Sequence, residues 1–280
     1  MAADDAGAAR RPLYGPVLFT PADRPDRFDK GREASRGALI LDLEDGVGPA
    51  NKPTARDAAR EWLGRGNAAL VRVNAVDTPA FADDVAALDS AKGFSAIVIP
   101  KAQSAADLEK VARAWPGAAL FPLIESPEGL ARLGEIAAAR GVVQLMLGAL
   151  DMHAAVGMRF PQADFITYCR IQLALASRMA RLAAPIDSPF PGFKDAEAVA
   201  QDAQAAAGLG FAAKLCIHPA QLEPVRNAFM PSDEELAWAK EVEAAAASGG
   251  AVSVRGAMVD APVVSSARQL LERARQLGKA

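Results

Sequence analysis

The chain has 280 residues, 51% hydrophobic and 23% charged, with 31 basic against 34 acidic side chains. This composition supports a sizeable core, excludes a disordered chain and offers no basic excess for nucleic acid. Two cysteines, Cys169 and Cys216, are too few for a disulfide framework, and no apolar run approaches the ~20 residues of a membrane span.

Taken in chain order, the sequence opens on MAADDAGAARR, with acids and no apolar stretch. The expectation is a disordered tail over 1–10, no signal peptide, and a soluble cytoplasmic enzyme. Short β-branched runs then recur at 17–20, 38–43, 69–73, 96–99, 119–124, 143–147, 183–186 and 214–217. Each has the length of a strand buried on both faces. Alanine-rich helical stretches separate them, at 25–35, 54–63, 79–90, 105–115, 127–139, 163–182 and 196–209. Ser104 is placed to cap the fourth helix, and Pro127 opens the fifth where proline is tolerated. Beyond them, 231–247 reads as a helix, 248–250 as a hinge and 267–277 as a terminal helix.

Eight strands alternating with helices predict parallel βα units, hence an α/β fold. At this length the architecture is a (β/α)8 TIM barrel over 11–228 with a C-terminal helical extension or lid over 229–280. A doubly wound sheet is the competitor, but the turn after the first strand, FTPADRPDRF, lacks the glycines of a dinucleotide loop.

A barrel of this kind carries its chemistry at the C-terminal strand ends. Those ends read Asp42, Glu44 and Asp45; Arg72 and Asn74; Lys101; Glu125; Asp151; Asp187; and His218. Glu125 and Asp151 follow adjacent strands, so the two carboxylates can converge on a hard cation such as Mg2+, or each can cap a helix. The Asp42, Glu44 and Asp45 cluster either surrounds that cation's waters or forms a solvated turn. Arg72 lies inside an apolar run, where it must be paired. It either holds a substrate carboxylate or enolate, or pairs with Glu44 or Asp42. Lys101 reads as a salt bridge to the acidic cluster, with a Schiff base as the rival. His153 is a ligand, a base or a lining residue; His218 lines a pocket or shapes a turn. Arg24, Arg27 and Lys30 form a basic patch suited to a phosphorylated ligand such as a coenzyme A ester, or a solvated helix face.

The stretches LFTPADRPDRFDK, LILDLEDGV, LVRVNA, IVIPKAQSAADL, PLIESPEGL, LGALDM, LCIHPAQLEPV and GAMVDAP run in order from about residue 17 to 265. Together they resemble the HpcH/HpaI aldolase and citrate lyase superfamily, in particular the free-standing citrate lyase β-subunit-like coenzyme A-ester lyases. The resemblance implies a homotrimer and a reversible Claisen-type lyase. The substrate would be a carboxylated 3-hydroxyacyl-CoA of the citramalyl, malyl or citryl type, split into acetyl-CoA and a 2-oxo acid. It implies Mg2+ (with Mn2+ as a substitute) on Glu125 and Asp151, and Asp45 with its neighbours around the metal's waters. Arg72 would hold the thioester oxygen, and Arg24 and Lys30 would contact coenzyme A. Asp260 in GAMVD matches a lid aspartate that reaches a neighbouring subunit's site. Leu150 stands where many members carry an acid, which disfavours citryl-CoA. A coenzyme A-independent, metal-dependent pyruvate aldolase is the enzymatic alternative; its typical early histidine is missing, since none precedes His153. A non-catalytic barrel that binds an acyl-CoA or an oxo acid is the other.

Overall fold

The computed structural model describes residues 11–36, 38–88, 96–247 and 252–279. The expected tail at 1–10, the expected hinge at 248–250 and the last two residues of the helix expected over 79–90 lie outside them. Eight parallel strands close into a barrel in sequence order. They are β1 (Gly15–Pro21), β2 (Leu39–Asp42), β3 (Leu70–Arg72), β4 (Ala96–Ile99), β5 (Ala119–Ile124), β6 (Met146–Leu147), β7 (Ile186–Asp187) and β8 (Ala213–Cys216). β8 returns to β1 with Gly15 opposite Ala213. The helices around them are α1 (Phe28–Ala34), α2 (Lys52–Gly64), α3 (Pro79–Leu88), α4 (Ala105–Ala114), α5 (Pro127–Ala131), α6 (Leu133–Ala138), α7 (Ala149–Ala155), α8 (Ala163–Met179), α9 (Ala196–Gly208) and α10 (Leu222–Phe229).

Successive side chains of each strand alternate between two cores. Val17, Ile40, Leu70, Val98, Phe121, Met146, Ile186 and Leu215 fill the barrel interior. Leu18, Leu39, Leu41, Val71, Ile97, Leu120 and Leu147 face outward onto Phe28, Leu63, Leu108, Ile136, Leu173 and Val199 of the helices. This parity decides the site. Two residues beyond inward Ile40, Leu70 and Leu123 stand Asp42, Arg72 and Glu125, which therefore point into the barrel mouth.

Ser104 caps α4 as expected, its Oγ accepting from Asp107 N at 3.3 Å. The helix expected over 127–139 breaks at Arg132 (φ −106°, ψ 19°) into α5 and α6. Two helices go unseen by the periodicity. α7 follows β6 after a single residue, so the apolar run hides the change of element, and α10 follows the turn after β8. The tail forms α11 (Asp233–Ala247), a hairpin of β9 (Val252–Val254) and β10 (Ala257–Val259), and α12 (Ala261–Gln276). Leu236, Ala239, Val242, Val254, Ala267, Leu271 and Ala274 make a small core of their own there. The end of α12 docks at the start of β1. Gly15 has φ +71°, and a Cβ there would stand 2.8 Å from Leu277 Cδ2. Among the described residues no helix is long and apolar enough to cross a membrane.

A buried ion cluster joins strands to helices on the outward face. Lys214 Nζ, 1% exposed, donates to Asp187 Oδ2 at 2.5 Å, Asp202 Oδ2 at 2.5 Å and the Ser188 carbonyl at 2.6 Å. Arg170 forks onto Asp187 at 2.9 and 2.8 Å and reaches Asp202 at 2.7 Å. Two cations face two carboxylates, so the cluster is balanced. Removing one partner leaves buried charge uncompensated, which costs far more than the pair contributes. Lys214→Met should lose about 3–5 kcal/mol of stability in urea unfolding. An unchanged midpoint would show that Asp187 and Asp202 do not depend on the ammonium.

Candidate active site

The β2, β3, β4 and β5 ends bring their charged groups together at the mouth. Arg72 forks onto Asp42, Nε to Oδ1 at 2.7 Å and Nη2 to Oδ2 at 2.6 Å. Its Nη1 lies 3.3 Å from Glu44 Oε2 without hydrogen-bond geometry, and its guanidinium carbon sits 4.6 Å from the Phe19 ring centroid. Arg72 thus takes both partners expected of a structural pair at once, and among the described residues its Nη1 makes no hydrogen bond. Burial alone would lower its pKa, but Asp42, Glu44 and Glu125 raise it, so it stays charged. Asp42 also accepts from Glu44 N at 3.0 Å and Gly46 N at 2.9 Å, which folds the LEDG turn around it.

Lys101 bridges the acids. Its Nζ donates to Glu44 Oε1 at 2.8 Å and lies 3.7 Å from Asp45 Oδ2, while its backbone N–H donates to Glu125 Oε1 at 2.7 Å. That amide is aimed by a left-handed backbone, φ +50°. The salt bridge expected of Lys101 is present. Glu125 is 3% exposed. Burial first, then the charges of Glu44 and Asp151, push its pKa up to about 8, against the Lys101 amide and Arg72. Gly148, at the end of β6, leaves room for it: a Cβ there would stand 2.6 Å from Glu125 Oε2.

Asp151 lies in the first turn of α7, exposed, and not at the strand end as the sequence suggests. It is still near enough for its charge to act on Glu125. Asp45 is exposed at the rim, and the buried acids of its motif are Asp42 and Glu44. Arg24 is exposed after β1, with Nε 3.3 Å from Asp26 Oδ1, and Lys30 is exposed on α1. Asp260 is exposed as the N-cap of α12, accepting from Val263 N at 3.1 Å. Among the described residues no hydrogen bond or ion pair joins it to the mouth cluster. Asp187 turns outward into the Lys214 cluster. His153 is buried on α7, and His218 stacks on Phe193 at 4.4 Å while its Nδ1 accepts from Ala220 N.

Sequence reasoning missed a supporting layer. Lys52 Nζ donates to the Leu43 and Glu44 carbonyls at 2.7 and 3.0 Å and to Asn74 Oδ1 at 2.6 Å. Asp84, fully buried, holds Asn74 N at 2.7 Å and Arg56 Nε at 2.7 Å. The available signal was an acid inside the apolar helix stretch PAFADDVAAL.

Among the described residues the mouth holds five carboxylates against Arg72 and Lys101, with Lys52 on the backbone beneath them, and Glu44 Oε2 is buried and without a hydrogen bond. This donor set is all oxygen and short of positive charge. It fits a hard divalent cation such as Mg2+, which takes one or two carboxylates and completes its shell with water and substrate. Glu125 and Asp151 would hold it. Among the described residues no group of three or more His, Cys, Asp or Glu forms a metal cage, in keeping with so open a site.

The raised Glu125 pKa has a consequence for stability. The folded state holds that proton more tightly than the unfolded chain. Its contribution is complete below the ordinary value of 4.5 and is lost as pH rises to about 8. In chelator, the wild type should therefore lose thermal stability over that range relative to Glu125→Gln. Parallel melting curves would show that Glu125 titrates alike in both states.

Three comparisons bear on the chain. The model of the family described as HpcH/HpaI aldolase/citrate lyase matches residues 16–219. A citrate lyase subunit beta-like protein of Mycobacterium tuberculosis is 39% identical over 265 residues, covering 92% of this chain and 94% of that one. An L-malyl-CoA/beta-methylmalyl-CoA lyase of Rhodobacter capsulatus is 33% identical over 305 residues, covering 92% and 93%. The crystal structure of CitE from Mycobacterium tuberculosis in complex with magnesium, acetoacetate and coenzyme A superposes with a TM-score of 0.82 at 38% identity, covering 94% of this chain and 98% of that one. With the barrel closed, the mouth built from the quoted motifs and relatives matched over nearly their whole length, this chain belongs to the HpcH/HpaI aldolase/citrate lyase family.

Proposed function

We propose that this protein is a Mg2+-dependent carbon–carbon lyase that splits a carboxylated 3-hydroxyacyl-CoA of the citramalyl or malyl type into acetyl-CoA and a 2-oxo acid, reversibly. The observation that carries the reading is the buried Glu125 carboxylate beside Asp151 and Arg72, in a mouth short of positive charge. The magnesium, acetoacetate and coenzyme A bound by the CitE relative support the same class of ligands.

When bound, Mg2+ (or Mn2+) would supply Lewis-acid charge to the oxygens of the 2-oxo acid. Glu125 and Asp151 would hold it, with Asp45 at the rim beside them as a further acceptor for water. Arg72 presents Nη1 to the thioester oxygen and holds the negative charge that forms there in the enolate. In the condensation direction Asp260 takes a proton from the acetyl methyl carbon, that carbon attacks the oxo carbon, and the alkoxide so formed takes a proton from water. In cleavage the hydroxyl proton goes back to water, the carbon–carbon bond breaks, and Asp260 returns its proton to the methyl carbon. Arg24 and Lys30 offer positive charge to the coenzyme A phosphates. Leu150, exposed beside Asp151, offers no charge to a second substrate carboxylate, which favours glyoxylate or pyruvate over oxaloacetate as the oxo acid.

Among the described residues no hydrogen bond or ion pair ties Asp260 to its own mouth, and the proposal assigns its service to a neighbouring copy. Residues 229–280 act as the lid that brings it there, and a homotrimer provides the neighbour. An exposed stripe on α8 supports such an assembly: Tyr168, Ile171, Leu175 and Met179 stand at 52, 40, 55 and 85% exposure, three to four residues apart. The two buried free thiols suit the cytoplasm.

The test is a product screen by mass spectrometry. Acetyl-CoA and Mg2+ are mixed with glyoxylate, pyruvate or oxaloacetate, with EDTA controls and the corresponding esters in the cleavage direction. A Mg2+-dependent ester from glyoxylate or pyruvate is expected. Turnover that survives EDTA, or none with any ester, overturns the reading, and a product formed without coenzyme A points to the pyruvate aldolase. The shared site is checked separately by co-expressing Glu125→Gln with Asp260→Asn chains. Each alone should be inactive, whereas mixed oligomers should regain a measurable fraction of turnover. No recovery would place Asp260 outside the neighbour's chemistry.

A further inference from the structure

We infer that Ser188 is a positioning residue for Asp151, fixing the start of α7 and through it the second carboxylate of the metal pair. The inference rests on the proposed role of Glu125 and Asp151. Asp151 is the third residue of α7, and a single residue separates this helix from β6. Whatever fixes that first turn fixes the direction of the carboxylate.

Two neighbouring strands and a histidine of the helix itself tie it down. From β5, the Ile124 carbonyl accepts from Gly148 N at 2.9 Å, one residue before Glu125 itself. From the end of β7, Ser188 Oγ accepts from Ala149 N at 3.0 Å in a buried bond. On α7 itself, His153 Nδ1 lies 2.6 Å from the Ala149 carbonyl, and Gln162 N donates to Nε2 at 3.2 Å, which assigns the proton to Nδ1. Among the described residues, the Ser188 bond is the hydrogen bond that joins this turn to the strand on the far side of β6 from Glu125. Ser188 is itself held, because its carbonyl accepts from Lys214 Nζ at 2.6 Å, within the balanced ion cluster of Arg170, Asp187 and Asp202. The outward ion cluster and the inward metal pair thus meet at one serine. The helix N–H that Ser188 satisfies otherwise has no intrahelical acceptor, and in a buried place its loss lets the turn shift or fray.

The experiment titrates metal-free protein with Mn2+ and reads the free ion by electron paramagnetic resonance, without substrate. Wild type should bind one Mn2+ that Glu125→Gln abolishes. Ser188→Ala should weaken it about 10-fold or more, as losses of groups that orient a ligand do, while Ser188→Thr, which keeps the acceptor oxygen, should stay near wild type. Equal affinity in Ser188→Ala and wild type overturns the inference, as does an equal loss in Ser188→Thr with an unchanged melting temperature. If Ser188→Ala does not fold, Ser188→Cys replaces it and is judged by the same ratio. Wild type without Glu125-dependent Mn2+ binding overturns the metal reading first and this inference with it, an outcome distinct from a failure confined to Ser188.

Discussion

Negative charge buried without enough positive charge to match it is the constraint on which this barrel's mouth depends. Arg72 is committed to Asp42 by a two-bond fork, and Lys101 to Glu44. What remains is Glu125, nearly solvent-free, with Asp151 and Glu44 acting on it. A carboxylate in that position either keeps its proton or acquires a cation. The first choice explains its raised pKa, and the second is the proposed function. The Lys101 amide, aimed by its left-handed backbone, and the bare Cα of Gly148 keep Glu125 where it is.

The second buried ion cluster shows by contrast what a structural network looks like here. Arg170 and Lys214 face Asp187 and Asp202, and each cation reaches both acids. It points outward between β7, β8 and the helices α8 and α9. Both clusters contain acids at strand ends, both are buried, and both include a cation from a neighbouring strand. Charge balance and direction separate them.

Parity within the strands also explains what the sequence could and could not reveal. The eight runs are buried on both faces and nearly free of charge, so their number and order are plain from composition. Asp42 and Asp187 both close such a run, yet only Asp42 faces inward, and that depends on register in a closed sheet. Asp45 is three residues past the strand in a turn that folds back on Asp42, so it stands at the exposed rim while Asp42 and Glu44 are buried. α7 was hidden because GALDMHAAV continues the apolar run of β6 without a break. The β9–β10 hairpin was hidden because its strands are three residues long, with Ala257 and Met258 exposed, so no alternation marks them.

The proposed function asks Asp260 both to cap a helix and to move a proton. Its Oδ1 accepts the Val263 N–H, which leaves Oδ2 without a partner among the described residues. The cap fixes the carboxylate's direction at the start of α12 and keeps the free oxygen turned to solvent. Asparagine is as good a cap as aspartate but cannot take a proton from carbon. Asp260→Asn therefore separates the two roles: the helix keeps its start, the lid its shape, and only proton transfer is removed. An exposed carboxylate with one oxygen anchored and the other unpartnered among the described residues, on a segment with a core of its own, is consistent with the proposed service to a neighbouring copy's mouth.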